Sequence, residues 1–359
     1  MAPSITVFCS NRGGIGKSSL TSQLAPAVAL AAPDRPVLLV DLSIQGDATT
    51  FLLGGVAEPV DATSGARTRG GEVLASLPRE KSAAAFLEAL LESATAPAPV
   101  AARPSFWRGT PAPAAPTRAP IDWKAHAIAP RELHPGGMCP PNLFLLPGGK
   151  SLFGAPFDSL APLLRDALTA QDAIVLVDTD AELSERGASL AGIACADRLA
   201  LVLSTSWSDY LRTLDDPANS LMEALGFLKT KHPALSPRIA YAVFNNVQKR
   251  LSTPGGTAAV PGMLPFTPPS SSLESLADIA THLRTVGAVH ARFFAKPESL
   301  DSNDAFLRDY VTGMPTVPES AWQASLSKGL PIVCSPAPTE QAAQAAQHLL
   351  AVAAKISIV

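Results

Sequence analysis

Ser10–Ser19 reads SNRGGIGKSS and lies between two stretches of different character. Before it, Ile5–Cys9 (ITVFC) is a short apolar run that reads as a buried strand. After it, Ser18–Ala32 carries Leu20, Leu24, Val28 and Leu30 at near-helical spacing, with Pro26 expected to kink the helix. Gly13, Gly14 and Gly16 let the backbone wrap closely and aim its N–H groups at anionic oxygens. The following helix N-terminus adds a favourable dipole for the same oxygens. An ordinary glycine turn does not account for Gly-Lys-Ser at the mouth of a helix. The pattern therefore reads as a nucleotide phosphate loop, in which Lys17 reaches the β- and γ-phosphates and the Ser18 hydroxyl ligates Mg²⁺. Ile15 and Ser19 complete the candidate binding set with the three glycines.

Further apolar runs recur along the chain at Val37–Val40, Leu143–Leu146, Ile174–Val177, Leu199–Leu203 and Ile239–Phe244, separated by helix-like segments. Most are continuous rather than alternating, as parallel strands covered on both faces require. Strand–helix repetition of this kind predicts an α/β fold with a doubly wound, mostly parallel sheet.

The 359 residues include 47% hydrophobic positions, enough for a sizeable core and too many for global disorder. Net charge is −3 with only 16% charged residues, which argues against constitutive nucleic-acid binding through overall charge. Cys9, Cys139, Cys195 and Cys334 are scattered without a CxxC pair, so no zinc, iron–sulfur or disulfide framework is expected. The N-terminus lacks a signal-peptide pattern, and no apolar stretch approaches membrane-spanning length. A soluble, cytoplasmic setting is the expectation.

One segment breaks the pattern. Ser93–Pro141 holds 11 of the 34 prolines in 49 residues and reads as a flexible, partly polyproline insertion within a single domain spanning 1–359. It carries Arg103, Arg108, Arg118, Lys124 and Arg131 near Phe106, Trp107 and Trp123, a composition suited to nucleic acid, the sister subunit or an adaptor, though a loosely ordered basic loop has the same composition.

The spacing of the loop, with no glycine at Asn11, is close to the variant xKGGxGK[S/T], and here the sequence resembles the ParA/MinD family of dimeric P-loop ATPases. The early lysine of that family, which reaches across a sandwich dimer to the partner's nucleotide, corresponds to Arg12. Asp41–Thr49 (DLSIQGDAT) resembles the family's switch I. Asp41 matches its first aspartate, near the metal, whereas Ser43 stands where the water-orienting aspartate is expected; a serine cannot act as a carboxylate base. The resemblance leaves slow hydrolysis or a substitute such as Asp47 as the two options. Asp172–Asp180 (DAIVLVDTD) has the Walker B form and delivers Asp178 to the metal; Asp180 or Glu182 is a candidate for part of the switch II role. Asn245, in AVFNN, matches the asparagine that reads adenine, and Leu264–Pro265 matches the Ile-Pro beside the base. Gly329–Ile332 and the helical Thr339–Lys355 match the family's C-terminal end. Lys150, after the strand in PNLFLLPGGKS, is a second candidate for reaching across a dimer.

The resemblance implies an ATPase using ATP and Mg²⁺, with Lys17, Arg12, Asp41 and Asp178 as the catalytic set and Ser18, Asp41 and Asp178 at the metal. It also implies an ATP-dependent homodimer, an adaptor that stimulates hydrolysis, and a role in plasmid partition, chromosome segregation or cargo positioning. DNA is a candidate surface through Lys249, Arg250, Arg284 and Arg292, but this basic set is sparse. The end of the chain, HLLAVAAKISIV, lacks a basic amphipathic face, which argues against membrane docking of the MinD type. Two alternatives stay open beside the cycling switch: a hydrolysis-impaired ATP-binding scaffold and a MinD-like division-site positioning protein. An iron–sulfur reductase relative would need bridging cysteines, and an arsenite-pump type ATPase commonly has two P-loops where this chain has one.

Overall fold

The computed structural model describes residues 4–55, 68–95, 121–134, 137–149, 157–180, 187–214, 220–248, 264, 266, 268–336 and 338–357. The first βα unit is β1 (Ser4–Cys9) and α1 (Lys17–Ala31), followed by β2 (Val37–Asp41), α2 (Asp47–Leu52), α3 (Arg69–Ser76), α4 (Ala83–Thr95) and α5 (Pro130–Leu133). Then come β3 (Leu143–Leu146), α6 (Phe157–Thr169), β4 (Ile174–Asp178), α7 (Ala188–Cys195), β5 (Arg198–Leu203), α8 (Trp207–Leu214), α9 (Leu221–Lys231) and β6 (Arg238–Val247). The chain closes with α10 (Ser270–Val289), α11 (Asn303–Tyr310), β7 (Val311–Pro315), α12 (Glu319–Lys328) and α13 (Glu340–Ser357).

The seven strands form one sheet in the order β3-β2-β4-β1-β5-β6-β7, and every pairing is parallel. The continuous apolar runs follow from this arrangement, because alternate side chains of each strand enter different cores. Phe8, Leu39, Leu176, Val202 and Val243 pack on the side of α1 and α13. Val7, Val40, Val177, Leu201 and Phe244 face the opposite core with α6, α7 and α9. Burying a side chain of this size contributes roughly 1.5–3 kcal/mol, so the two cores together clamp the central strands that carry the loops. All the strands run the same way, and the chain leaves each one at the edge where a doubly wound sheet binds its ligand.

Three sequence expectations are refined. Pro26 lies inside α1 without dividing it, and the residues around it are buried against both sheet and helix. β7 was not anticipated: VTGMP contains glycine and proline, and it is a strand because it sits at the sheet edge beside β6, where one unpaired side is tolerated. The expected excursion at 93–141 is corrected at its two ends. α4 runs through Thr95, and residues 121–134 return to the core: Trp123 is fully buried against Phe144, and Ile128 and Leu145 exchange backbone hydrogen bonds in an antiparallel bridge. Trp123 is therefore a packing residue and not a stacking platform for nucleic acid. Arg103, Arg108, Arg118, Phe106 and Trp107 lie outside the described residues.

Candidate functional site

The loop after β1 ends in Gly16, which has φ 78°, in the left-handed region, and forms the N-cap of α1. The conformation favours glycine, and a Cβ at this position would stand 2.7 Å from the Asn245 side-chain nitrogen, so a larger residue would displace that side chain from the loop. No side chain caps α1, and its first turn carries no acidic residue. The free N–H groups of a fifteen-residue helix thus open onto the loop, with nothing in the first turn to repel an anion.

Lys17 begins this helix and is nearly buried, its Nζ 3.9 Å from Asp178 Oδ1 at the tip of β4. Thr21, one turn on, donates to the Lys17 carbonyl at 2.8 Å and lies 3.5 Å from the same Asp178 oxygen. Asp178 is completely buried, and its Oδ2 has no hydrogen-bond partner. Burial pushes its carboxyl up to about 7; Lys17 opposes the shift, Asp41 adds to it, and the Ser18 hydroxyl favours the ionised form.

Asp41 ends β2 in register with Asp178 and is also fully buried. Its two oxygens are both engaged. Oδ1 accepts from Ser43 N at 2.9 Å and Ser43 Oγ at 2.6 Å, and Oδ2 accepts from Thr49 N at 2.9 Å and Thr49 Oγ1 at 2.7 Å. Four donors fill the acceptor capacity of a carboxylate. Of the two carboxylates expected at the metal, only Asp178 offers an unpartnered oxygen; Asp41 folds the switch I segment back onto its own strand. Burial raises the Asp41 carboxyl, and these hydrogen bonds hold it down.

Ser43 occupies the place where a water-orienting aspartate was expected. It is buried, with its hydroxyl donating to Asp41 and accepting from Gly46 N at 3.0 Å. Asp180 accepts from Ile44 N at 2.8 Å and so ties the segment after β4 to switch I. Asp47 is exposed at the start of α2. Glu182 lies outside the described residues.

The two charge-reaching candidates differ. Arg12 forms an ion pair with Asp209 in α8 of its own chain, whereas Lys150 lies outside the described residues. Asn245 uses its side-chain nitrogen on the loop, donating to the carbonyls of Ile15 (2.9 Å) and Gly16 (3.3 Å). It lines a cavity of about 380 Å³ together with Gly14, Gly16, Ser19, Met314, Thr316 and Trp322. This cavity adjoins the loop and combines apolar walls with a few polar groups, as a nucleoside site does. Another cavity, of about 340 Å³, opens near Arg238 at the start of β6, at the opposite sheet edge from the loop. Pro265, Lys249 and Arg250 lie outside the described residues. Arg284 donates to the Leu300 carbonyl and Arg292 stacks on Phe293, so neither is an unengaged cation.

Sequence reading did not assign roles to Thr49, Thr21, Asp209 or the wall formed by β7 and α12. Thr49 closes the quoted switch I motif, but its partner was hidden. Trp322 and Thr316 carry no local signal, because they reach the cavity only through the β6–β7 pairing.

No protein-family model matches this sequence, and no curated protein matches it. Solved structures do. A ParA family ATPase from Chlorobium tepidum TLS aligns over 98% of each chain with a TM-score of 0.52 and 16% identity. Cyanothece McdA in complex with ATP aligns over 100% of this chain and 98% of its own, with a TM-score of 0.53 and 12% identity. A Borrelia burgdorferi B31 plasmid partition protein bound to AMPPNP aligns over 98% of each chain, with a TM-score of 0.51 and 13% identity. With its seven parallel strands and the loop at the mouth of α1, the chain has the P-loop fold of the ParA/MinD ATPases.

Proposed function

We propose that the protein is an ATP-dependent dimerising ATPase switch of the ParA type, acting in DNA partition or cargo positioning, and built as one domain around the Lys17–Asp178 site. The observation that carries this reading is the pairing of Lys17, at an uncapped helix N-terminus, with a buried Asp178 whose second oxygen is unpartnered. Two buried carboxylates beside a single lysine leave negative charge uncompensated, which suits a divalent cation.

Ser18 and the free oxygen of Asp178 would hold Mg²⁺, consistent with the habit of this ion to use one or two carboxylates plus substrate phosphates. When bound, Mg²⁺ supplies charge neutralisation at the phosphates. Gly13, Gly14 and Gly16 cradle the phosphates with backbone N–H groups, and Lys17 neutralises the β- and γ-phosphoryl oxygens. The cavity between Asn245 and Trp322 receives the base. Arg12, carried across to a partner's nucleotide, would supply the remaining positive charge. An adaptor protein that stimulates hydrolysis completes the cycle. No described helix is long and apolar enough to cross a membrane.

A second reading, the ATP-binding scaffold with impaired hydrolysis, is favoured by one specific observation. The Ser43 hydroxyl is consumed by Asp41 and Gly46 and cannot activate water. Light scattering with Mg-ATP and with Mg-ADP, paired with a phosphate-release assay, separates the readings. An ATP-only dimer with turnover supports the switch. A dimer in both nucleotides without turnover supports the scaffold, and a monomer in both with nucleotide bound overturns the switch.

A further inference from the structure

α8 is tied to the first half of the phosphate loop by three side-chain contacts. Arg12 is ion-paired with Asp209, Asn11 Nδ2 donates to the Arg212 carbonyl at 3.1 Å, and the Ser10 and Thr213 hydroxyls lie 3.5 Å apart. Asp209 is held from behind: Ser204 Oγ donates to its Oδ2 at 2.6 Å, and its side chain is only 12% exposed, against 40% for Arg12. The carboxylate is therefore anchored from a second side, while the guanidinium is the more exposed partner.

This arrangement gives a physical reason for arginine where the family pattern has lysine. A guanidinium is less strongly hydrated than an ammonium and holds a fixed carboxylate better at a half-buried position. The same pairing withdraws Arg12 from any other anion. A chain in which Arg12 sits on its own Asp209 is not ready to present that charge elsewhere, and the apparent affinity for the next step falls in proportion to the held fraction.

We infer that Asp209 is a positioning residue that holds Arg12 within its own subunit and so sets the ATP concentration at which the chain dimerises. The inference rests on the proposed function, in which Arg12 reaches a partner's nucleotide. The outer face of α8 carries Trp207 and Leu211, one turn apart and 38% and 42% exposed. A shift of α8 would therefore change the hold on Arg12 without passing through the nucleotide.

The test is the Mg-ATP concentration giving half-maximal dimer, read by light scattering on the full chain. Asp209→Asn keeps an acceptor for Ser204 and removes the charge; it should lower this midpoint by about three- to tenfold. Mg-ADP affinity should stay within about twofold, because the Lys17 site is untouched. Asp209→Glu should bring the midpoint back towards wild type, which a purely structural role would not do. In an Arg12→Ala background the shift must disappear. If Asp209→Asn does not fold, Ser204→Ala, which removes the bond orienting Asp209 together with the acceptor for Ser206 N, should shift the midpoint in the same direction. A wild-type chain that dimerises with ATP while Asp209→Asn leaves the midpoint unchanged, or a shift that persists without Arg12, overturns the inference and leaves the switch standing. Wild type and variant both monomeric with ATP bound overturn both.

Discussion

Asp41 and Asp178 end adjacent parallel strands in the same register, and both are fully buried, yet they do different work. Asp41 spends its oxygens on Ser43 and Thr49, whereas Asp178 keeps one unpartnered beside Lys17 and Ser18. The division follows from what comes next in the chain. A tight turn into α2 brings donors back to Asp41, whereas the hydroxyl-bearing start of α1 stands over Asp178.

Lys17→Ala should reduce ATP affinity by about a hundredfold or more, since two charge-assisted contacts to phosphate are lost and the Asp178 charge is left without its counter-ion. Isothermal titration checks it, with circular dichroism showing that the fold is kept. Asp178→Asn should bind ATP within about tenfold of wild type but lose most of the dependence on Mg²⁺; an unchanged EDTA sensitivity would remove Asp178 from the metal.

Ser43→Asp tests whether the missing family carboxylate is simply a lost base. In this structure the new carboxylate would face Asp41 in a buried site. Repulsion and desolvation should destabilise the protein by about 2–4 kcal/mol, and hydrolysis should not rise. Ser43→Ala removes the Asp41 and Gly46 hydrogen bonds and should cost about 1–2 kcal/mol. Thermal melts and phosphate release measure both; faster hydrolysis in Ser43→Asp would contradict the account.

Trp123→Ala should destabilise the fold by about 3–5 kcal/mol, the range for deleting a fully buried aromatic. Trp123→Phe, which still fills much of the space beside Phe144, should lose less than half of that. Urea denaturation midpoints decide this, and a wild-type midpoint for the alanine variant would mean that the returning segment does not pack on the sheet.

Lys355 donates to the Val311 carbonyl from the last turn of α13, and burial holds its pKa down to about 8. An amine depressed below its unfolded value binds its proton less tightly in the native state. Stability from this group is present in full above the unfolded value near 10.5 and is lost as pH falls through about 8. Between these limits the unfolded chain holds more protons, so stability rises with pH. After discounting for solvent screening, the gain is about 1 kcal/mol. Lys355→Met should flatten that slope in denaturation curves taken between about pH 7 and pH 10.

The strand runs, their parallel character and the P-loop were legible because each is written in contiguous residues: a continuous apolar stretch, or glycines at fixed offsets before Gly-Lys-Ser. Six of the seven strands could be placed this way. β7 could not, since VTGMP is a strand only because the β6 edge is open to it. Trp123 was misread for a related reason. Proline and alanine surround it, and the composition of a window says nothing about which residue returns to the core.

At the site, the sequence alone determined which chemistry-bearing residues exist and in what order they meet the sheet edge, since side-chain type and strand order follow from local pattern. Tertiary structure alone decided which charges are spent and which remain available. Asp41 is used by Thr49, Arg12 is held by Asp209, and Asn245 is turned to the loop by the Ile15 and Gly16 carbonyls. These pairings join residues from eight to more than two hundred positions apart. Burial is what makes them consequential. In water each group would be solvated whatever its neighbour, but away from solvent an unpaired charge is costly and every partner counts.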